Sequence, residues 1–149
     1  MYKRLELHNH TNESDAVFTC KELTDFMVAD QVDAFALTDH NTISGHCKIK
    51  NYLKEHPQPI DFIPGMEYTT YYGHILCLNL TEYVPWENIN RYKPELLFRA
   101  ARKKGALVGV AHPYSFGWPF AQGCRFEMTI TDYSCCDFIE IFNNPEPLH

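Results

Sequence analysis

The sequence lacks any apolar run long enough to span a bilayer; the longest, Ala106 to Ala111, is strand-sized. No apolar segment of the secretory type follows Met1-Tyr2-Lys3-Arg4, so no leader is expected and the expected compartment is cytoplasmic. Basic residues are in deficit: 13 Lys and Arg stand against 19 Asp and Glu, a formal net charge of -6. That balance argues against a general nucleic-acid surface and against an anionic-membrane surface, since both want a basic patch. None of the 6 cysteines forms a Cys-x-x-Cys pair, which excludes a zinc ribbon and a thioredoxin-type motif and leaves reduced thiols as the expected state. There is also no internal repeat, basic run or linker. The 149 residues therefore read as a single domain, 1–149, large enough to bury a core without disulfide staples.

What is present is a regular succession of apolar patterns. Tyr2 to His10 alternates, with Leu5 and Leu7 on one face and Glu6 and His8 on the other, and predicts a strand ending in His8-Asn9-His10. Lys21 to Gln31 has helical spacing, with Leu23, Phe26, Met27 and Ala29 on one side. Asp33 to Thr38 carries Ala34-Phe35-Ala36-Leu37, the apolar run of a buried parallel strand. Ser44 to Glu55 predicts a second helix with Ile49, Tyr52 and Leu53 inward. Ile60 to Ile63 reads as a third strand closed by Pro64-Gly65, and His74 to Leu80 as a fourth. Pro94 to Lys104 predicts a helix with Pro in its first turn, cations in its last and Gly105 just after it. Ala106 to Ala111 is a fifth strand, stopped by His112-Pro113; Tyr114 to Arg125 reads as a loop, and Phe138 to Phe142 as a sixth strand. Strands and helices in alternation imply an α/β protein with mainly parallel strands, whose chemistry gathers at the C-terminal strand ends.

Polar residues cluster at those ends. His8 and His10 sit two apart, and in a strand residues i and i+2 face the same side, so both imidazoles can reach one ion. Asp15 follows in the next loop, Thr38-Asp39-His40 ends the second strand, Glu67 follows the third, His74 opens the fourth and His112 ends the fifth. Imidazole with carboxylate suits Zn, Mn or Fe better than Ca, and a carboxylate such as Glu67 can bridge two ions. Taken singly, each has a plainer reading: a surface histidine, a helix cap at Asp39, a surface charge at Glu67. Their coincidence at successive strand ends weakens it. His46, His56 and His149 lack such placement and read as ordinary histidines.

The segments His8-Asn9-His10-Thr11 with Ser14-Asp15, Thr38-Asp39-His40, Pro64-Gly65-Met66-Glu67, Gly73-His74 and Ala111-His112-Pro113 resemble, in order, the motifs of the PHP family, named for polymerase and histidinol phosphatase. Phe138 to Asn143 is similar to the family's next strand. The resemblance implies a distorted (β/α)7-type barrel, with divalent metal ions, two or three in number, at the strand ends. Carried over by position, it implies that His8, His10 and Glu67 hold one ion, Glu67, His74 and His112 a second, and Asp15 with His40 a third. It further implies metal-dependent hydrolysis of a phosphoester, on a small organic phosphate or nucleotide, by metal-activated water. Other members of the family are proofreading-like or structural modules of bacterial DNA polymerases.

Two departures from the family pattern bear on this. Ala16 follows Asp15 where the family usually has Gly. More consequentially, the family's last motif, an Asp-x-His that completes the first and third metal sets, occurs nowhere in the sequence. A seven-unit barrel at roughly 30 residues per unit would need about 210. The expected architecture is thus an incomplete PHP barrel of about five or six strands, with a weak third metal set and an exposed barrel edge open to self-association. Two other readings stay open: a truncated or degenerate PHP module that binds metal but serves as scaffold or partner subunit, and an amidohydrolase-type enzyme, which also begins with His-x-His. For a phosphorylated substrate, Arg125, Tyr114 and Asn143 are the candidate contacts.

Overall fold

The computed structural model describes residues 2–87, 90, 92–114 and 125–141. Its first helix begins where the sequence supplies a cap. The Thr19 side chain accepts the Glu22 N–H while the Glu22 carboxylate accepts the Thr19 N–H, and α1 (Cys20–Ala29) follows. Its buried stripe is Cys20, Leu23, Thr24 and Met27, the i, i+3, i+4, i+7 pattern counted from Cys20, so Phe26, expected inward, lies in solvent. α2 (Gly45–Glu55) buries Ile49, and α3 (Glu95–Lys103) buries Leu97, Phe98 and Ala101.

The strands are β1 (Leu5–Glu6), β2 (Ala34–Leu37), β3 (Asp61–Thr70), β4 (Gly73–Leu78), β5 (Leu107–Val110) and β6 (Phe138–Ile139). They form one sheet in chain order. β1, β2 and β3 pair in parallel, as do β5 and β6, but β4 is antiparallel to both β3 and β5. Five of the six described strands thus run the same way, as expected, and β4 is reversed for a geometric reason. Tyr71 and Tyr72 alone join β3 to β4, and two residues can turn a hairpin but cannot make a crossover.

β3 also runs well past its predicted stop. Pro64-Gly65 does not end the strand but marks a change of partner: Asp61 to Pro64 pair with β2, and Gly65 to Thr70 pair with β4. Pro64 still serves as an acceptor, taking the Leu80 N–H at 2.9 Å. Gly65 is required by close approach, because a Cβ there would sit 2.6 Å from the Cys77 carbonyl oxygen. Glu67, expected after the strand, therefore lies within it.

Three apolar clusters hold the sheet, the smallest being Ala36, Leu76, Leu78 and Ala111. Phe35, Leu37 and Ile49 pack with Cys20, Leu23 and Met27 under α1 and α2; Met66, Tyr68, Ile75, Cys77 and Val108 pack with Leu97 and Phe98 under α3. Full burial of a side chain such as Phe35 contributes about 2–3 kcal/mol. Leu5 and Leu7, by contrast, face outward, so β1 directs Glu6 and His8 inward. β1 and β6 end the sheet without pairing to each other, yet Glu140 just after β6 reaches His8 just after β1 at 2.9 Å. The sheet is thus curled into an open half-barrel, an incomplete PHP-type α/β architecture.

No helix of the described residues is long and apolar enough to cross a membrane. Among the described cysteines Cys20, Cys77 and Cys135 are buried, Cys47 is exposed, and all are free thiols. The predicted loop from Tyr114 to Arg125 has its ends joined by an isolated antiparallel bridge; residues 115–124 lie outside the described residues, as do Cys124, Phe142, Asn143 and His149.

Candidate metal centre

Backbone pairing at the strand ends builds the site. Asn9 donates its side-chain amide to the Glu6 and Ala36 carbonyls at 3.0 Å each, and its backbone bonds Thr38, which locks the end of β1 to the end of β2. With Asn9 turned outward to that seam, its neighbours His8 and His10 both turn inward. Beyond β2, Asp39 to Asn41 continue alongside β3. Asp39 O accepts the Glu67 N–H, Asn41 N–H donates to Glu67 O, and the Asn41 amide bonds both backbone groups of Thr69. Asn41 adopts φ 54° to do so, a left-handed conformation that Asn tolerates. This pairing sets His40 beside Glu67. His74, opposite Thr69 in the hairpin, arrives at the same end because β4 is antiparallel.

Glu67 is the centre. Its side chain is 0% exposed. Its Oε2 lies 2.9 Å from His8 Nε2, 3.2 Å from His10 Nε2 and 3.4 Å from His40 Nδ1. Its Oε1 lies 2.7 Å from His74 Nδ1 and 3.0 Å from His112 Nε2. Burial pushes the carboxyl pKa up, but the bonds from His10, His112, His74 and His8 outweigh it and hold the group well below the usual carboxylate range. Burial likewise pushes His8 down, and the carboxylates of Glu140 and Glu67 raise it to about 9. His40 is lowered, chiefly by burial.

Three sets of donor atoms converge closely enough to hold a cation: His8, His10 and Glu67; His10, Asp15 and His40; His40, Glu67 and His74. These sets take in six of the seven predicted donors, and the seventh, His112, contacts Glu67. The grouping differs in detail from that implied by the family resemblance, with His10 joining Asp15 and His40, and His40 joining Glu67 and His74, while His112 meets Glu67 Oε1. The residues fit a cation on their own chemistry. Five imidazoles surround one buried carboxylate, and two buried ring nitrogens, His10 Nδ1 and His74 Nε2, have no hydrogen-bond partner among the described residues.

Asp39 is not a helix cap. Its oxygens accept Thr11 N–H at 2.6 Å, Thr11 O–H at 2.7 Å and Ser14 O–H at 2.7 Å, and so tie down the loop that carries Asp15; α2 starts after Ser44 with no side-chain cap bond. Asp15 Oδ2 reaches His40 Nε2 at 3.4 Å. His46 stands apart, buried and donating to the Gly65 carbonyl at 2.8 Å, and His56 packs against Tyr52 at the end of α2. Tyr114 and Arg125, both exposed, pair with each other just beyond His112-Pro113. Glu140 is the residue that the sequence reading passed over. The available signal was alternation: after Phe138 and Ile139, Glu140 is the one charged residue in a run otherwise apolar through Phe142.

The PHP domain family matches residues 6–114. An uncharacterised protein of Methanocaldococcus jannaschii is 28% identical over 151 residues, covering 94% of this chain and 81% of that protein. The 5'-3' exoribonuclease of Haemophilus influenzae is 35% identical over 89 residues, 57% of this chain but 32% of its own length. Among solved structures, a two-domain protein of Bacteroides vulgatus, named for a predicted PHP-like metal-dependent phosphoesterase, superposes with a TM-score of 0.64 at 22% identity, over 78% of this chain and 39% of that one. A protein of Bifidobacterium adolescentis named as a metal-dependent phosphoesterase superposes at 0.57 with 14% identity, over 76% and 68% of the two chains. The chain thus spans about a third of the exoribonuclease it matches, and the two superpositions speak to fold. The family match covers most of the chain and takes in every strand end from His8 to His112, so the chain belongs to the PHP domain family.

Proposed function

We propose that the chain hydrolyses phosphoesters with divalent cations held by His8, His10, Asp15, His40, Glu67, His74 and His112. The observation that carries this reading is the convergence of five imidazoles on the buried Glu67 carboxylate, with two buried ring nitrogens left without hydrogen-bond partners among the described residues. The donor set, imidazole with carboxylate, suits two or three zinc, manganese or iron ions. Cations bound there would supply positive charge to phosphoryl oxygens and acidify a water.

The chain's own groups have separate tasks. Glu67 stays ionised and orients the imidazoles around it. Asp39, through Thr11 and Ser14, holds the Asp15 loop against His40. Arg125 and Tyr114, beyond His112, are the groups nearest in sequence to meet a substrate phosphate, and Asn143 is a third candidate outside the described residues. The names of the exoribonuclease relatives favour a nucleotide phosphoester over other small phosphates. The acidic balance of the chain favours a small substrate over long nucleic acid.

The test is metal content by mass spectrometry alongside turnover of p-nitrophenyl phosphate, a nucleoside monophosphate and a short 5'-phosphorylated oligoribonucleotide, with and without chelator. Metal-dependent turnover is expected, and His112→Ala should lower both metal content and rate. Stoichiometric metal without turnover of any of the three would refute the enzyme reading. That outcome would instead favour a metal-binding scaffold or partner subunit. The edges of β1 and β6, which do not pair with each other among the described residues, support this second reading.

A further inference from the structure

Glu140 stands outside the three donor sets, yet both of its oxygens are engaged within the cluster. Its Oε1 lies 2.9 Å from His8 Nδ1, and its Oε2 accepts the His112 backbone N–H at 2.8 Å. The other nitrogen of His8 faces Glu67. An ionised carboxylate can only accept, so Nδ1 must be the donor and Nε2 is the atom presented to the centre. His112 carries φ 25°, a backbone conformation uncommon for residues other than glycine, and the Glu140 bond falls on that residue's N–H. His8 follows the first strand of the sheet and His112 the fifth, and β1 and β6 share no backbone pairing. One carboxylate therefore joins the two sides of the open half-barrel at the level of the donors.

We infer that Glu140 is a positioning residue of the metal centre: it fixes His8 with Nε2 turned toward Glu67 and holds the His112 backbone in place, so that donors from the two sides of the open sheet keep a common geometry. The inference rests on the metal reading above. A carboxylate behind a ligand histidine fixes both ring orientation and tautomer, and losing it costs about 10- to 100-fold in metal affinity.

The experiment uses the whole chain and zinc as the probe, with affinity read by competition against a chromophoric chelator. Glu140→Ala should weaken zinc binding by about 10- to 100-fold. Glu140→Gln should lie between, because its amide can accept only one of the two N–H groups and opposes the other with its own N–H; it also serves if the alanine variant does not fold. Nitrogen-15 NMR of the zinc-loaded chain should show a protected His8 Nδ1–H proton, assigned by its loss in His8→Ala and absent in Glu140→Ala. In a His8→Ala background, Glu140→Ala should cost less than it does in the natural chain; a merely structural role would cost the same in both and leave the proton signal in place. Equal zinc affinity of the natural chain and both Glu140 variants, with the His8 proton unchanged, would overturn the inference alone. Failure of the natural chain to bind zinc would overturn the metal reading and the inference with it.

Discussion

The protonation of His8 leads to a measurable coupling between metal binding and pH. In the metal-free chain its imidazole lies between Glu67 and Glu140, and although burial opposes the charge, the two carboxylates raise the pKa to about 9 from 6.5. At neutral pH the ring is therefore an imidazolium, and a cation can bind Nε2 only after that proton leaves. Two pH units separate pH 7 from that pKa, so competition by the proton weakens the His8-containing set about 100-fold, roughly 2.7 kcal/mol. Affinity should rise about tenfold per pH unit between pH 7 and 8 and flatten above 9. The linked stability runs the other way. A folded pKa above the ordinary value stabilises the metal-free chain by about 3 kcal/mol below pH 6.5, and this is lost as pH rises through 9. Calorimetric zinc titrations in buffers of different ionisation enthalpy would count the released proton, and urea unfolding of chelator-treated protein at pH 6, 8 and 10 would follow the stability. Zinc affinity that is flat from pH 7 to 8, with metal-free stability also flat from pH 6 to 10, would refute the pairing of His8 with the two carboxylates.

Other perturbations probe the scaffold. Glu67→Gln replaces the shared acceptor with an amide whose N–H groups oppose those of the imidazoles, and should abolish stoichiometric metal binding; retention of full metal content would refute the central role of Glu67. Asp39→Ala removes three hydrogen bonds from the Asp15 loop and should cost about 3 kcal/mol in urea unfolding, with a selective loss of the weakest-bound ion. Gly65→Ala places a methyl group against the Cys77 carbonyl oxygen and should destabilise the fold by about 1–3 kcal/mol, measured the same way.

The helices were legible in the sequence because their signals are local. The capping box at Thr19, the apolar stripe of α1 and the Pro94 and Gly105 boundaries of α3 each depend on residues within a few positions of one another. The seven candidate donors drew attention for a related reason: each is a polar residue that interrupts or closes an apolar run. Pro64-Gly65 misled the reading of β3, because a proline inside a strand is tolerated where the strand exchanges one partner for another, and that exchange is set by distant residues. Phe26 misled it because helical spacing leaves the phase of the stripe open by one position, which packing against α2 then decides.

By itself the sequence determined which residue types the site contains and the order in which the strands deliver them, since side-chain chemistry and apolar periodicity are properties of short segments. Only the tertiary structure decided that Glu67 is the shared partner of five histidines, that His74 arrives on a reversed strand, and that Glu140 reaches His8 from the far side of the sheet. These depend on strand direction and register between segments up to 132 residues apart, which no local pattern encodes.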